Sequence, residues 1–135
     1  MKTNYVAVVV SGIAYWLLGA LWYTVLFGKQ WMAFENISGP KAGSSMVFPF
    51  VVTFLLDVLI AFVLAQLCTW RSVNTAARGA SLGVLMWIGF VATTMYTNHI
   101  YEMRPSGLFL INGGYVLAGL ILIGAILGAW TKKSA

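Results

Sequence analysis

Residues 47–68, VFPFVVTFLLDVLIAFVLAQLC, decide the fold, because they form an apolar stretch that carries a single charged residue, Asp57. About 20 helical residues are enough to cross the hydrocarbon core of a bilayer. Pro49 lies in the first turn, where its missing N–H would have no partner in any case. The stretch therefore predicts a transmembrane helix.

Three further stretches have the same character and cover residues 5–26, 79–98 and 108–130. Barrel strands would be about half as long and would alternate polar with apolar residues. We therefore predict an all-α integral membrane protein, a four-helix transmembrane bundle in which residues 1–135 form a single four-span domain. No proline lies beyond the first turn of any span, which predicts unbroken helices.

The composition excludes several classes of protein. Hydrophobic residues make up 61% of the chain and charged residues only 8%, against roughly 25% charged residues in an ordinary soluble domain. Disordered chains are poor in aliphatic and aromatic residues, so disorder is excluded as well. A single cysteine, Cys68, rules out an intramolecular disulfide and a cysteine metal cage. We expect no cofactor and no metal.

The basic residues predict the orientation of the chain. Five of them share a face with the termini (Lys2, Arg71, Arg78, Lys132 and Lys133), and three lie on the opposite face (Lys29, Lys41 and Arg104). Because cytoplasmic loops retain positive charge, both termini are predicted to be cytoplasmic. The basic residues are scattered over the span ends rather than clustered, which excludes nucleic acid as a partner.

The first predicted outer loop has a helical pattern. Phe27, Trp31 and Phe34 recur at helical spacing beside polar residues. This spacing favours a short helix that lies flat at the membrane interface, over an irregular loop that Trp31 anchors.

Asp57 is the residue most indicative of function. Near the bilayer midplane an aspartate costs roughly 2.5 to 3.5 kcal/mol, and no Lys, Arg or His lies at a comparable depth in any span. Neutral donors in the middle of neighbouring spans, namely Tyr15, Trp16 and Trp87, are therefore its expected partners.

On the same helix, Thr53 and Ala61 flank Asp57 at four-residue spacing, and Ala65 and Cys68 lie further along. They predict a narrow face that points into the bundle. In one interpretation Asp57 is a proton or cation site for transport. In the other it makes a structural hydrogen bond between helices.

A second polar group lies at the predicted outer ends of the third and fourth spans. It consists of Thr93, Thr94, Thr97, Asn98, His99, Asn112 and Tyr115. These residues could line an outward-facing vestibule or bind a polar head group, but capping and joining a helical hairpin is their more common role. His99 is the only histidine, so this chain alone cannot build a histidine metal centre.

Glycines at four-residue spacing mark two helices. Gly79 with Gly83, and Gly124 with Gly128, form small-xxx-small pairs that allow helices to approach closely. They predict helix packing, either within the chain or against partner membrane helices or further copies of this chain.

No phosphate loop, nucleophile elbow or metalloprotease helix occurs in the sequence, so we expect no enzyme. Three functions stay open. The first is an oligomeric transporter or channel with its site at Asp57, and the second is a scaffold or accessory subunit. The third, an intramembrane enzyme on a lipid-like substrate with Asp57, Tyr15 or His99 as acid or base, ranks last.

Several aromatic and glycine motifs together resemble a known family. They are GALWY (19–23), LFGKQW (26–31), WIGFV (87–91), YEMRP (101–105), LFLINGGY (108–115) and GAILGAW (124–130). The chain resembles the membrane family known as domain of unknown function 1761. The resemblance implies a small four-span protein of a bacterial cytoplasmic membrane and supplies no catalytic residues.

These motifs also draw attention to the predicted outer face. The residues gathered there would be Trp22, Tyr23, Lys29, Trp31, Asn98, His99, Glu102, Arg104, Asn112 and Tyr115. We hypothesise that the first outer loop packs over the turn between the third and fourth spans. In this hypothesis Glu102 pairs with Arg104, with Lys29, or with both.

Overall fold

A computed structural model describes residues 2–35 and 47–131. These residues form helices, and four helical segments are long and apolar enough to cross a membrane: Tyr5–Leu26, Val47–Trp70, Ala76–Tyr101 and Ser106–Ala129. The prediction of an all-α fold with four spans is confirmed. Of the basic residues used to predict orientation, Lys41, Lys132 and Lys133 lie outside the described residues.

The described residues form six α-helices and two π-helical segments. In chain order they are α1 (Tyr5–Leu21), a π segment (Trp22–Leu26), α2 (Gly28–Glu35), α3 (Val47–Trp70), α4 (Ala76–Met86), a π segment (Trp87–Ala92), α5 (Thr93–Tyr101) and α6 (Ser106–Ala129). The short helix predicted between the first two spans is α2, which packs against the first π segment and α6.

The prediction of unbroken helices is confirmed, since each span is one continuous helix, but the first and third spans are not α-helical throughout. Each contains a π segment that begins at a tryptophan, and each tryptophan donates its indole N–H to α6. Nε1 of Trp22 lies 3.0 Å from the carbonyl oxygen of Ile111, and Nε1 of Trp87 lies 2.9 Å from that of Gly113. The wider π turn changes the direction of the side chains along a helix without any proline. The two indoles thus hold the first and third spans against nearly the same level of α6.

Helix α6 lies at the centre of the bundle. It packs against α1, α3 and α4, while α3 also packs against α1. Helices α1 and α6 run antiparallel, since Asn4 near the start of α1 donates to the carbonyl oxygen of Trp130 at the end of α6. The end of the bundle with Asn4 and Trp130 is named the terminal end. The opposite end, which holds α2 and the turn between α5 and α6, is named the loop end.

The glycine pairs bring α4 and α6 into backbone contact. A Cβ atom at Gly79 would overlap the carbonyl oxygen of Gly124, and one at Gly83 would overlap that of Leu120. Gly128 meets the carbonyl oxygen of Thr75 in the same way. Packing rather than hydrophobicity associates helices in lipid, and it requires such close approach. The four predicted packing glycines therefore bring together two helices of the same chain.

Candidate functional site

Asp57 lies on the face of α3 that points into the bundle. It is 8% exposed, and the other buried residues of this helix follow it toward the terminal end: Ala61, Leu64, Ala65 and Cys68. Small side chains make this face narrow, as predicted. Thr53 does not belong to it, because Thr53 is exposed and its hydroxyl donates to the carbonyl oxygens of Pro49 and Phe50 in its own helix.

Two tyrosines lie close enough to Asp57 to interact with it. Its carboxyl interacts electrostatically with the phenols of Tyr15 on α1 and Tyr115 on α6. Within the described part of the chain, the carboxyl forms no hydrogen bond and no ion pair. Asp57 therefore lies at the junction of three helices without the direct donor that a buried carboxyl requires.

Two of the three expected donors have other partners. The indole N–H of Trp87 is bonded to Gly113. The indole ring of Trp16 packs edge-on against Phe50 and Phe54, with centroid distances of 6.2 and 6.1 Å. Depth along the spans was therefore an insufficient criterion, because these two side chains contact Gly113, Phe50 and Phe54 instead. Tyr15 remains beside Asp57.

The tyrosines beside Asp57 are tightly enclosed. Tyr15 is 2% exposed and stacks on Tyr115 with ring centroids 4.8 Å apart. The ring of Tyr15 lies over Gly119, and the phenol of Tyr115 lies over Gly19. Because each glycine lacks a side chain, the two rings fit between α1 and α6.

The loop end of this site is covered by further aromatic side chains. The Tyr23 hydroxyl donates to Oδ1 of Asn112 at 2.7 Å, and the Tyr23 ring meets Tyr115 edge-on at 5.3 Å. Trp31 of α2 packs on the other side of Tyr23 at 5.5 Å, and Trp22 lies against Tyr115 at 6.3 Å. Five residues of the predicted outer-face group thus pack together at the loop end: Trp22, Tyr23, Trp31, Asn112 and Tyr115.

The remaining members of that group lie elsewhere. Asn98 and Lys29 are exposed. Glu102 pairs with Arg104 at 3.0 Å. The hydroxyls of Thr93, Thr94 and Thr97 donate to carbonyl oxygens of their own helical segment on an exposed face. These threonines therefore lie on the outer surface of the third span.

His99 lies apart from the Asp57 site. It is 8% exposed, its Nδ1 is 2.8 Å from the carbonyl oxygen of Met95, and its ring meets Phe109 edge-on at 5.7 Å. Its Nε2 is buried, and no described atom bonds to it. The Met95 bond ties the imidazole to its own helix.

Sequence reasoning assigned Tyr115 to the outer face and did not place it beside Tyr15. A signal was present, since each of these tyrosines precedes a glycine by four residues, at Gly19 and Gly119. Ser11 was not singled out either. It is fully buried one helical turn before Tyr15, and its hydroxyl has no partner among the described atoms.

These features define the class of the protein: a four-span helical membrane protein in which the Asp57 carboxyl is buried beside two stacked tyrosines. Residues 6–128 match the family described as Protein of unknown function (DUF1761), and the chain belongs to this family. No curated protein and no solved structure shows significant similarity to it.

Proposed function

We propose that this protein carries protons or monovalent cations across a membrane, with the Asp57 carboxyl as the binding site. One observation supports the proposal. The carboxyl lies inside the bundle beside Tyr15 and Tyr115, and no described residue forms an ion pair or hydrogen bond with it. An ionisable residue within a span is a functional-site hypothesis by default, because retaining it is costly.

The surroundings suit a small cation better than a large substrate. Two cavities of about 20 and 210 Å³ lie in the described part of the chain, and Asp57 lines neither of them. The tyrosines, Trp22 and Asn112 cover the site toward the loop end. An ion or proton passes through such packing only when the side chains move. Four helices enclose little volume, so we propose that the transporting form is a homo-oligomer.

The test is ion flux in proteoliposomes. Purified protein is reconstituted with a pH-sensitive dye inside, and a potassium diffusion potential drives proton entry. A parallel series uses a sodium-sensitive dye. Asp57→Asn keeps the shape of the side chain and removes the ionisable group, so it is expected to abolish the flux of the carried ion.

Thr93→Val is the matched control, because Thr93 is exposed and bonds only to its own helical segment. It should leave the flux unchanged, and both variants should retain wild-type helicity and elution volume. An Asp57→Asn variant that transports like wild type would remove Asp57 from the mechanism. Wild-type protein without flux above that of empty liposomes would overturn the proposal as a whole.

The alternative is a scaffold or accessory subunit that binds lipid or partner helices. Because the packing glycines of α4 and α6 act inside the chain, such a protein would use other surfaces. We propose no enzymatic role, and catalysis by Asp57, Tyr15 or His99 ranks third. We place the protein in the cytoplasmic membrane of a bacterium with both termini inside, the orientation that the basic residues favour.

A further inference from the structure

Ser11 carries a buried hydroxyl that the packing of the bundle does not use. The residue is fully buried in α1, and no described atom bonds to its Oγ. A serine or threonine within a helix can donate to the carbonyl oxygen four residues earlier. Seven other hydroxyls in the described helical segments do so: Thr24, Thr53, Thr69, Ser81, Thr93, Thr94 and Thr97. Ser11 differs from all of them, although an unpaired buried hydroxyl is costly.

Two contacts place Ser11 at the level of Asp57. Gly12, the next residue along α1, approaches α3 so closely that a Cβ atom on it would lie 3.1 Å from the backbone nitrogen of Val58. That nitrogen belongs to the peptide group that joins Asp57 to Val58. One turn further along α1, Tyr15 interacts electrostatically with the Asp57 carboxyl. Ser11 and Asp57 therefore flank the same close approach of two helices, and both are buried there.

A hydroxyl can bond to both ionisation states of a carboxyl. It has one hydrogen to donate and two lone pairs that accept. An ionised carboxylate only accepts, whereas a protonated carboxyl also donates. By rotating its O–H bond, a serine can donate to the first and accept from the second. The Ser11 hydroxyl is available for this role, because no described carbonyl oxygen holds its proton.

The other groups that face Asp57 are less suited to this role. The titratable ones are the phenols of Tyr15 on α1 and Tyr115 on α6. The Tyr115 hydroxyl donates to the carbonyl oxygen of Tyr15 at 3.4 Å, and the two rings are held by their stacking. Arg78, the one charged residue of α4, is exposed at the terminal end.

The backbone at this level favours a proton over a metal cation. Sodium sites in transporters draw on carbonyl oxygens of unwound helices. By contrast, α1 and α3 are continuous α-helices through Ser11 and Asp57, and the π segments begin elsewhere. Their carbonyl oxygens at this level are occupied by helix hydrogen bonds. A proton on the carboxyl needs only one acceptor.

We propose that Ser11 and Asp57 form one proton site: the Ser11 hydroxyl accepts a hydrogen bond from the protonated carboxyl and donates one to the carboxylate once the proton has left. The two groups are not bonded in this structure, so a side-chain rotation or one bridging water completes the contact. The choice of a proton as the carried ion rests on the proposed function, whereas the hydrogen bond can be measured without transport.

Infrared difference spectra between acidic and alkaline pH test the hydrogen bond. Asp57 is the only aspartate, so ¹³C-aspartate identifies the C=O stretching band of its protonated carboxyl without any variant. Ser11→Ala should move this band to higher wavenumber, because a carboxyl that loses a hydrogen bond has a stiffer C=O bond. Ser11→Cys, with a weaker hydrogen-bonding group, should give a smaller shift.

Ser81→Ala is the matched control, since Ser81 is exposed and donates to the carbonyl oxygen of Ala77 in its own helix. It should leave the Asp57 band in place. The same band position in Ser11→Ala and in wild type would overturn the proposal, and so would a carboxyl that shows no protonated band at acidic pH.

Sodium separates the proton from a metal cation. When sodium chloride replaces choline chloride at constant pH, the area of the Asp57 band should not change. A band that sodium diminishes would show that the metal ion displaces the proton, and it would overturn the choice of a proton.

Flux gives a second measurement in the proteoliposome assay. Ser11→Ala should lower proton flux by about tenfold, the equivalent of one hydrogen bond to a charged group, and Ser81→Ala should not. Wild-type flux in Ser11→Ala would remove Ser11 from the site and leave Asp57 as the carrier. Wild-type protein without any flux would overturn transport alone, because the infrared band reports the hydrogen bond in either case.

Discussion

Tyr15 and Tyr115 stack across the interface between α1 and α6, and each ring covers a glycine of the helix that carries the other ring. The relationship is reciprocal because the helices run antiparallel and each tyrosine precedes its own glycine by four residues. Each ring thus occupies the space that a side chain at the facing glycine would fill. The position of the rings beside Asp57 therefore depends on Gly19 and Gly119.

Gly119→Ala should destabilise the bundle, because the new methyl group would overlap the ring of Tyr15. Overpacking of this kind costs about 1–3 kcal/mol. The free energy of unfolding in mixed micelles measures it. Gly89→Ala is the control, since no atom lies within 4 Å of the added methyl position. Equal stability of the two variants would show that Tyr15 does not pack on Gly119.

Gly79→Ala should lower the free energy of unfolding by about 2–3 kcal/mol, at least as much as Gly119→Ala. The reason is that its methyl group would overlap backbone atoms rather than a movable side chain. Helices α4 and α6 would have to separate. The midpoint of thermal unfolding in detergent provides the measurement. Gly114→Ala serves for comparison, since its methyl group would make ordinary contact with Trp22. A Gly79→Ala midpoint no lower than that of Gly114→Ala would contradict the close approach.

Trp22→Phe and Trp87→Phe should each lose one hydrogen bond to α6 and about 0.5–1.5 kcal/mol of stability. Because these bonds hold the π segments, amide hydrogen exchange should rise within Trp22–Leu26 and Trp87–Ala92. Trp70→Phe, on an exposed tryptophan at the terminal end, should leave both segments unchanged. Unchanged protection of these amides in Trp22→Phe and Trp87→Phe would show that the π segments do not depend on the indole hydrogen bonds.

A double-mutant cycle on Lys29 and Glu102 should give an interaction energy near zero. Lys29 is exposed, and the described partner of Glu102 is Arg104. The cycle on Glu102 and Arg104 should give about 0.2–1 kcal/mol at low salt, the range of exposed ion pairs. Substitution by glutamine in both cycles keeps the side chains comparable. A measurable coupling of Lys29 to Glu102 would restore the pairing that we hypothesised from sequence.

The spans and the family could be predicted because hydrophobic length and motif order are properties of the sequence alone. The inward direction of Asp57 followed from the small residues Ala61, Ala65 and Cys68, which are spaced along one face. Thr53 fits the same spacing but does not lie on the buried face. A threonine hydroxyl can donate to a carbonyl oxygen of its own helix, so it needs no buried partner.

The partners of the tryptophans could not be predicted. Trp22 and Trp87 begin π segments and donate to α6, whereas Trp16 lies within α1 and packs on α3. Neither the π segment nor the helix that a tryptophan faces follows from its depth along a span. The glycine pairs were found by their spacing, but spacing alone does not distinguish packing within the chain from packing against a partner. The contact between Gly79 and Gly124 makes that distinction.

The central position of α6 has a consequence for biosynthesis. Translation delivers α6 after α1, α3 and α4, yet α4 makes its glycine contacts with α6, and the first and third spans make their indole hydrogen bonds with it. Helices α1 and α3 can pack on each other before α6 enters the bilayer, whereas α4 then lacks its main partner. A nascent chain arrested before α6 is therefore expected to leave α4 open to membrane proteases.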